Sequence, residues 1–202
     1  MPIFSSDWHS HVIPAWKEFF RLLGWNQDQP LTVIEIGSFE GRSALWLLDN
    51  LLGHPESRIY CIDVFDLGPT QPPEEKRALR ARFDANIAES AHAAKVEVFH
   101  EHSHTALIEL LHRGVRADLV YVDGSHWAPD VLEDLVLGFR LAKVGAFIIC
   151  DDYLWWPGPM GQHDLISTPK LGIDAFVNCN IRKIQIPNGQ PLYQFAFQKI
   201  SE

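Results

Sequence analysis

Residues 182–200, RKIQIPNGQPLYQFAFQKI, decide how the sheet of this chain must end. Two stretches rich in strand-forming residues flank Asn188-Gly189, the dipeptide that most readily supplies the left-handed backbone of a tight hairpin. The pattern predicts two antiparallel strands around that turn. Upstream, short apolar runs alternate with helical patterns: TVIEIG (32–37), RIYCIDVF (58–65), KVEVFH (95–100), ADLVYVD (117–123) and VGAFIICDD (144–152). Apolar strands, each followed by a helix, form a parallel sheet covered on both faces. A hairpin added to five such strands turns the last one against its neighbour. The expected fold class is α/β, with a mostly parallel seven-stranded sheet, an antiparallel C-terminal hairpin and helices on both faces.

The intervening segments carry the helical period. GRSALWLLDNLLG (41–53) stops at Gly53, PEEKRALRARFDANIAES (73–90) is charged and amphipathic, and SHTALIELLHRG (103–114) again closes on glycine. APDVLEDLVLGFRLA (128–142) follows the fourth strand, and SDWHSHVIPAWKEFFRLLG (6–24) reads as one further helix with Pro14 as its weak point. Length fits one domain over residues 1–202, with a helical segment at 1–30 and an α/β core at 31–202. The net charge of −9 opposes a nucleic-acid partner, whose phosphates it would repel. With no run of about 18 apolar residues and no basic, then apolar, leader, the expectation is a cytoplasmic protein without a membrane partner. Cys61, Cys150 and Cys179 are an odd, widely spaced set, of which two lie in apolar runs and read as core thiols of a reducing compartment.

VIEIGSFEGRS (33–43) places Gly37 and Gly41 in the turn between the first strand and its helix. Glycine there lets the backbone approach a ligand, and the helix start offers free N–H groups. The spacing is Gly-x-x-x-Gly, so the dinucleotide fingerprint GxGxxG is absent. Asp63, ending the second strand, could accept hydrogen bonds from a ribose. These residues, Glu35-Ile36-Gly37-Ser38-Phe39-Glu40-Gly41-Arg42-Ser43 with Asp63, resemble the S-adenosylmethionine site of class I methyltransferases. That fold ends on a reversed strand, whereas dinucleotide-binding dehydrogenase domains normally end on a parallel one. More narrowly, residues 30–200 are similar to the metal-dependent O-methyltransferases, a group with catechol, antibiotic-sugar and cephalosporin hydroxylase-like members. The resemblance implies that Gly37, Ser38 and Ser43 line the methionine moiety and that Asp63 holds the ribose. Glu35, Phe39, Gly41 and Asp123 complete the cofactor set. Ser103 would approach the adenine, although Glu101 stands where the family commonly has glycine.

Asp123 ends the fourth strand, and Asp151 and Asp152 end the fifth. Neighbouring strands lie about 4.8 Å apart, so three carboxylates would gather at one edge and repel each other without a cation between them. Oxygen donors alone suit Mg²⁺ or another hard divalent cation, and the resemblance places metal ligands at the same three positions. His126, three residues past Asp123, is the candidate general base, since its ordinary pKa lies near neutrality. The function expected is S-adenosylmethionine-dependent O-methyl transfer, assisted by the cation, to a small molecule with neighbouring hydroxyls. A catalytically silent cofactor-binding assembly domain is the alternative; a nucleotide-dependent oxidoreductase is disfavoured by the missing fingerprint. HEHSH (100–104) crosses a strand end into a helix start, which spoils the alternation a metal tract needs. DDYLWWPGPMGQHD (151–164) reads as a substrate wall or as packing against the hairpin or a partner subunit. Trp8 and Trp16 read as core or oligomer contacts, and exposed aromatics leave a homo-oligomer open.

Overall fold

Strand β1 (Thr32–Ile36) is buried from Val33 onward, apolar there but for Glu35, and it lies inside the sheet as the third of seven strands. The computed structural model describes residues 1–66, 68, 71–158, 164–190 and 193–202. From β1 the chain runs through α2 (Arg42–Asn50) to β2 (Arg58–Ile62), then through α3 (Pro73–Ala88) to β3 (Val96–Phe99), always toward one edge. After α4 (Ser103–His112) it returns to the other side of β1 with β4 (Ala117–Val122), then α5 (Ala128–Leu141) and β5 (Ala142–Cys150). Helix α6 (Pro169–Asn180) leads to β6 (Ile184–Gln185) and β7 (Phe195–Lys199). The order is β3-β2-β1-β4-β5-β7-β6. All pairs from β3 to β5 are parallel, and β7 is antiparallel to both β5 and β6. The strand order reverses between β1 and β4, where such sheets open a crevice beyond their carboxyl ends.

Two apolar layers cover the sheet. One joins Trp16 and Phe20 of α1 (Ile13–Leu22) to α2, α3 and the β residues Val33, Leu119, Tyr121 and Ile149. The other joins α4, α5 and α6 to Ile34, Val120, Ile148 and Phe197. Cys61 and Cys150 lie inside these layers and Cys179 is exposed.

The structure corrects the expected elements in four places. The C-terminal strands are antiparallel, but no tight Asn-Gly hairpin joins them: β6 ends at Gln185, β7 begins at Phe195, and Asn188-Gly189 lies in the long connection. Pro187 lacks the N–H that continued pairing would use. In its place the Gln190 carboxamide accepts from Ala196 N (2.7 Å) and donates to Ala196 O (3.0 Å), a side chain filling a strand's rung. Residues 191 and 192 of the quoted stretch lie outside the described residues.

Pro14 is not a weak point either. Helix α1 starts at Ile13, so Pro14 occupies the first turn, where no N–H partner is needed. Strand β5 begins at Ala142, with no loop after α5, because Lys199 Nζ and Arg116 cap the carbonyls at that helix end. Helix α6 had no counterpart in the sequence reading. Its Gly172 lies so close to α5 that a Cβ would sit 2.4 Å from Ala128 O.

Candidate active site

The first residue beyond each central strand is pinned by a backbone hydrogen bond to its neighbour: Gly37 N to Ile62 O, Asp63 N to Phe99 O, Asp123 N to Ile36 O, and Asp151 N to Val122 O. The parallel ladder thus carries the loop glycine and three of the predicted carboxylates to one edge. Gly37 has φ +85°, and a Cβ there would lie 1.9 Å from Asp123 O and 2.6 Å from Gly124 Cα. Only glycine fits. Gly41 (φ +81°) starts α2, with Gly41 N donating to Ser38 O.

The loop's backbone donors are answered from within the protein. Asp63 Oδ2 accepts from Ser38 N (2.8 Å) and Phe39 N (2.7 Å), and its Oδ1 accepts from Phe65 N. The residue expected to hold a ribose therefore also locks the loop, with burial pushing its carboxyl up and the three N–H donors pulling it down. Ser43 Oγ donates to Glu35 Oε1 (2.6 Å), which holds Glu35 beneath the loop, fully buried and with its pKa raised by burial. Glu35 Oε2 and Ser38 Oγ are buried without a hydrogen-bond partner among the described residues. Trp8 stacks on Phe39 with ring centroids 4.7 Å apart, and Ser5 N and Oγ both bond the buried Glu40 carboxylate, so the N-terminal segment lies on this loop. Ser103 opens α4 near the buried Asp134 of α5, whose pKa burial raises to about 7 and the Ser103 hydroxyl pulls back down in part.

Asp123, Asp151 and Asp152 do meet, because β4 and β5 are neighbours. They line a small cleft with Gly124, Ser125, His126, Val131 and Pro169. Burial, then the charges of Asp151 and Asp152, drive the Asp123 carboxyl well above its usual range; burial also raises Asp151. The side chains are already engaged. His126 Nε2 lies 2.7 Å from Asp152 Oδ2, and its ring packs on Trp155 at 4.1 Å. Asp152 has φ +55°, a left-handed backbone rare for a non-glycine residue.

The sequence reading missed Tyr121. Its hydroxyl, wholly buried, bonds Asp151 Oδ2 and lies 3.0 Å from Asp123 Oδ2. Burial and the two carboxylates push the phenol pKa well up, so it stays protonated. A phenol has one proton to donate. The second contact therefore needs another proton or a cation in this cluster. Gln194 Nε2 adds a second bond to Asp151 Oδ2, at 3.1 Å. The spacing of Tyr121, two residues before Asp123 and thus on the same side of the strand, was the available signal.

Among the described residues no group of three or more His, Cys, Asp or Glu is assembled to hold a metal ion as it stands. The donor chemistry, all oxygen, fits a hard cation. The Oδ2 atoms of all three carboxylates, however, are turned to Tyr121, Gln194 and His126. The glycine cradle, the unpartnered Ser38 Oγ and the Asp63 and Asp123 carboxylates suit a ligand with amino-acid and ribose groups. His100 Nε2 lies 3.0 Å from Val64 O, while His102 and His104 stack on each other. Trp16 is core, and Trp8 is 61% exposed yet stacked on the loop. In the 151–164 loop, residues 159–163 lie outside the described residues. No described helix is long and apolar enough to cross a membrane.

Comparison with known proteins bears on the fold. TomG, an O-methyltransferase of Streptomyces achromogenes solved with S-adenosylmethionine, superposes with a TM-score of 0.66 at 21% identity, over 91% of this chain and 77% of its own. The mycinamycin methyltransferase MycE, solved with Mg, S-adenosylhomocysteine and mycinamycin VI, gives 0.61 at 17% identity, over 96% of this chain and 50% of its own. A Bacillus cereus O-methyltransferase with S-adenosylhomocysteine gives 0.60 at 18%, over 94% and 81%. At these identities the likeness is one of fold. A protein of Acanthamoeba polyphaga mimivirus described as uncharacterised is 24% identical over 149 residues, 72% of this chain; the match spans 59% of that curated relative's length. Residues 34–153 match the family model of the methyltransferase domain. The chain therefore belongs to the methyltransferase-domain family, with the class I fold of S-adenosylmethionine-dependent enzymes.

Proposed function

We propose that the protein is an S-adenosylmethionine-dependent O-methyltransferase whose acceptor is a small molecule with neighbouring hydroxyls, and that a hard divalent cation assists it. The observation that carries this reading is the meeting of Asp123, Asp151, Asp152 and His126 at the edge beside the Gly37 cradle.

Each residue has a separable task. Gly37 and Gly41 open the backbone to the cofactor, Ser38, Phe39 and Ser43 line the amino-acid end over Glu35, Asp63 offers its remaining lone pairs to the ribose, and Ser103 stands on the adenine side. The bound cofactor supplies a methyl group on a sulfonium. Asp123, Asp151 and Asp152 would hold Mg²⁺ or a similar ion, which supplies the positive charge that favours an ionised acceptor hydroxyl. With its Nε2 proton directed at Asp152 Oδ2, His126 keeps a lone pair on Nδ1 that can take the acceptor's proton. Trp155 against the His126 ring restricts where that lone pair points. Positioning and electrostatics do the rest, and no covalent enzyme intermediate is needed.

Calorimetry with S-adenosylhomocysteine tests cofactor binding, and transfer of labelled methyl to a panel of catechols and vicinal diols tests the reaction. Asp152→Ala should abolish Mg²⁺-stimulated transfer and leave homocysteine-cofactor affinity nearly unchanged. Full activity in excess chelator would refute the cation.

A further inference from the structure

Asp151 is held from the far end of the chain. Trp16 Nε1, in α1, donates to Gln194 Oε1 at 2.8 Å; Gln194 Nε2 donates to Asp151 Oδ2 at 3.1 Å; Tyr121 reaches the same oxygen, and Asp152 N donates to Asp151 Oδ1 at 2.8 Å. Every member is buried: Tyr121 and Trp16 at 0% and 1% exposure, Gln194 at 2% and Asp151 at 9%. The chemistry of the two ends fixes the amide. An indole can only donate and a carboxylate can only accept, so the Gln194 oxygen must face Trp16 and its nitrogen Asp151. No other orientation satisfies both neighbours.

The sheet register holds the Gln194 backbone in place, and ring packing holds its indole partner. It directly precedes β7, whose Phe195 is paired with Cys150, so Gln194 lies beside Asp151 through the antiparallel register. Trp16 is fixed by edge contacts to Tyr121 at 5.0 Å, Trp46 at 5.4 Å and Phe20 at 5.8 Å. Tyr121 thus touches the chain twice, by its ring on Trp16 and by its hydroxyl on Asp151. A closed circuit results, Trp16–Gln194–Asp151–Tyr121–Trp16, linking helix α1, the reversed strand and both carboxylate-bearing strands.

We infer that Gln194, oriented by Trp16, is a positioning residue that fixes Asp151 for cation binding, so that α1 and β7 are parts of the active-site scaffold. Resting on the proposed cation site, the inference assigns the reversed strand a task at the site it borders. Without Gln194 the Asp151 carboxylate keeps its bonds from Tyr121 and from Asp152 N but loses one of the two donors to Oδ2, the one that comes from outside β4 and β5. Loss of an outer partner of a ligating carboxylate typically costs about 10- to 100-fold in metal affinity.

The experiment measures Mn²⁺ affinity by calorimetry on the full chain saturated with S-adenosylhomocysteine, alongside the melting temperature and the S-adenosylhomocysteine affinity. Gln194→Met keeps length and burial and removes the amide; Trp16→Phe removes only the indole donor and part of the ring. Expected are an about tenfold or greater loss of Mn²⁺ affinity in Gln194→Met, a smaller loss in Trp16→Phe, and a double variant no worse than Gln194→Met alone, since the two act through one amide. S-adenosylhomocysteine affinity should stay within about threefold in all. Gln194→Asn, which keeps the amide but cannot span both partners, serves if Gln194→Met fails to fold, and should show the same loss. Unchanged Mn²⁺ affinity in the folded Gln194 variants overturns the inference, as does an equal fall in Mn²⁺ and S-adenosylhomocysteine affinity, the mark of a general structural defect. Absence of Mn²⁺ binding in the unaltered protein would instead overturn the cation reading itself.

Discussion

The loop after β1 and the edge formed by β4 and β5 are built in opposite ways. At the loop, the Asp63 carboxylate receives three backbone N–H groups, and backbone presses on backbone at Gly37 with no room for a methyl group. Its charge is answered and its shape is set. At the edge, three carboxylates share one phenol proton, one amide, one imidazole and one backbone N–H, and Asp123 is driven toward its neutral form. The loop's backbone is set by the protein alone, with Ser38 Oγ and Glu35 Oε2 left unpartnered among the described residues, whereas the edge lacks positive charge. A preformed cradle binds by fit, and an unbalanced cluster binds by relief of repulsion.

The largest effect expected from breaking this contrast is on the fitted side. Gly37→Ala places a Cβ on the Asp123 carbonyl in a left-handed backbone, so S-adenosylhomocysteine binding should vanish in calorimetry, with a stability loss of at least about 3 kcal/mol in chemical unfolding. Next comes a gain on the unbalanced side. Asp123→Asn removes one charge from the buried cluster and can still accept from Tyr121. In chelator it should melt about 3–8 °C higher than the unaltered protein and no longer respond to Mg²⁺. A lower melting temperature would mean that the cluster is balanced as it stands.

The pH dependence of stability separates two buried groups flanking these regions. His9, beside Arg42 and Trp16 near the loop, has its pKa lowered to about 4 by burial, with both ring nitrogens unpaired. Its folded-state pKa lies below the unfolded one, so acid unfolds: stability falls as pH drops from about 6.5 toward 4. Asp134, on α5 beyond the edge, has its pKa raised from 3.8 to about 7 by burial. Its contribution runs the other way, full below about pH 4 and lost as pH rises through about 7, a change of a few kcal/mol. The two slopes oppose each other between pH 4 and 6.5. Asp134→Asn should therefore expose a stability that climbs with pH in that window, and His9→Gln one that falls, both read from urea unfolding. The smallest effect concerns Ser103. With its hydroxyl near enough to Asp134 to lower that carboxyl's pKa, Ser103→Ala should change S-adenosylhomocysteine affinity less than about threefold; a tenfold loss would assign that hydroxyl to the adenine.

The contrast also explains what the sequence could tell. Strand ends were legible because apolar runs stop where the chain meets water, and Asp63, Asp123, Asp151 and Asp152 stand at those stops. That the last pair meets Asp123 needed only adjacency of β4 and β5, which the alternation of strands and helices implied. Partners across the fold were not legible. Trp16 and Gln194 are 178 residues apart, and neither periodicity nor turn chemistry records which buried amide meets which indole. The engagement of Asp63 with its own loop was hidden for the same reason, since backbone donors carry no residue signature. The hairpin misled because Asn-Gly is a local signal, and its immediate neighbours, Pro187 and the Gln190 carboxamide, override it.

That carboxamide has a consequence for the molecule's life among its copies. Strand β6 is two residues long and stands at the sheet's margin, so most of β7 would offer open N–H and C=O groups to any passing strand. Gln190 occupies the Ala196 pair and Gln185 lies opposite Gln198, leaving little free ladder for another chain to extend. One glutamine side chain does the work of a missing strand's rung at that margin.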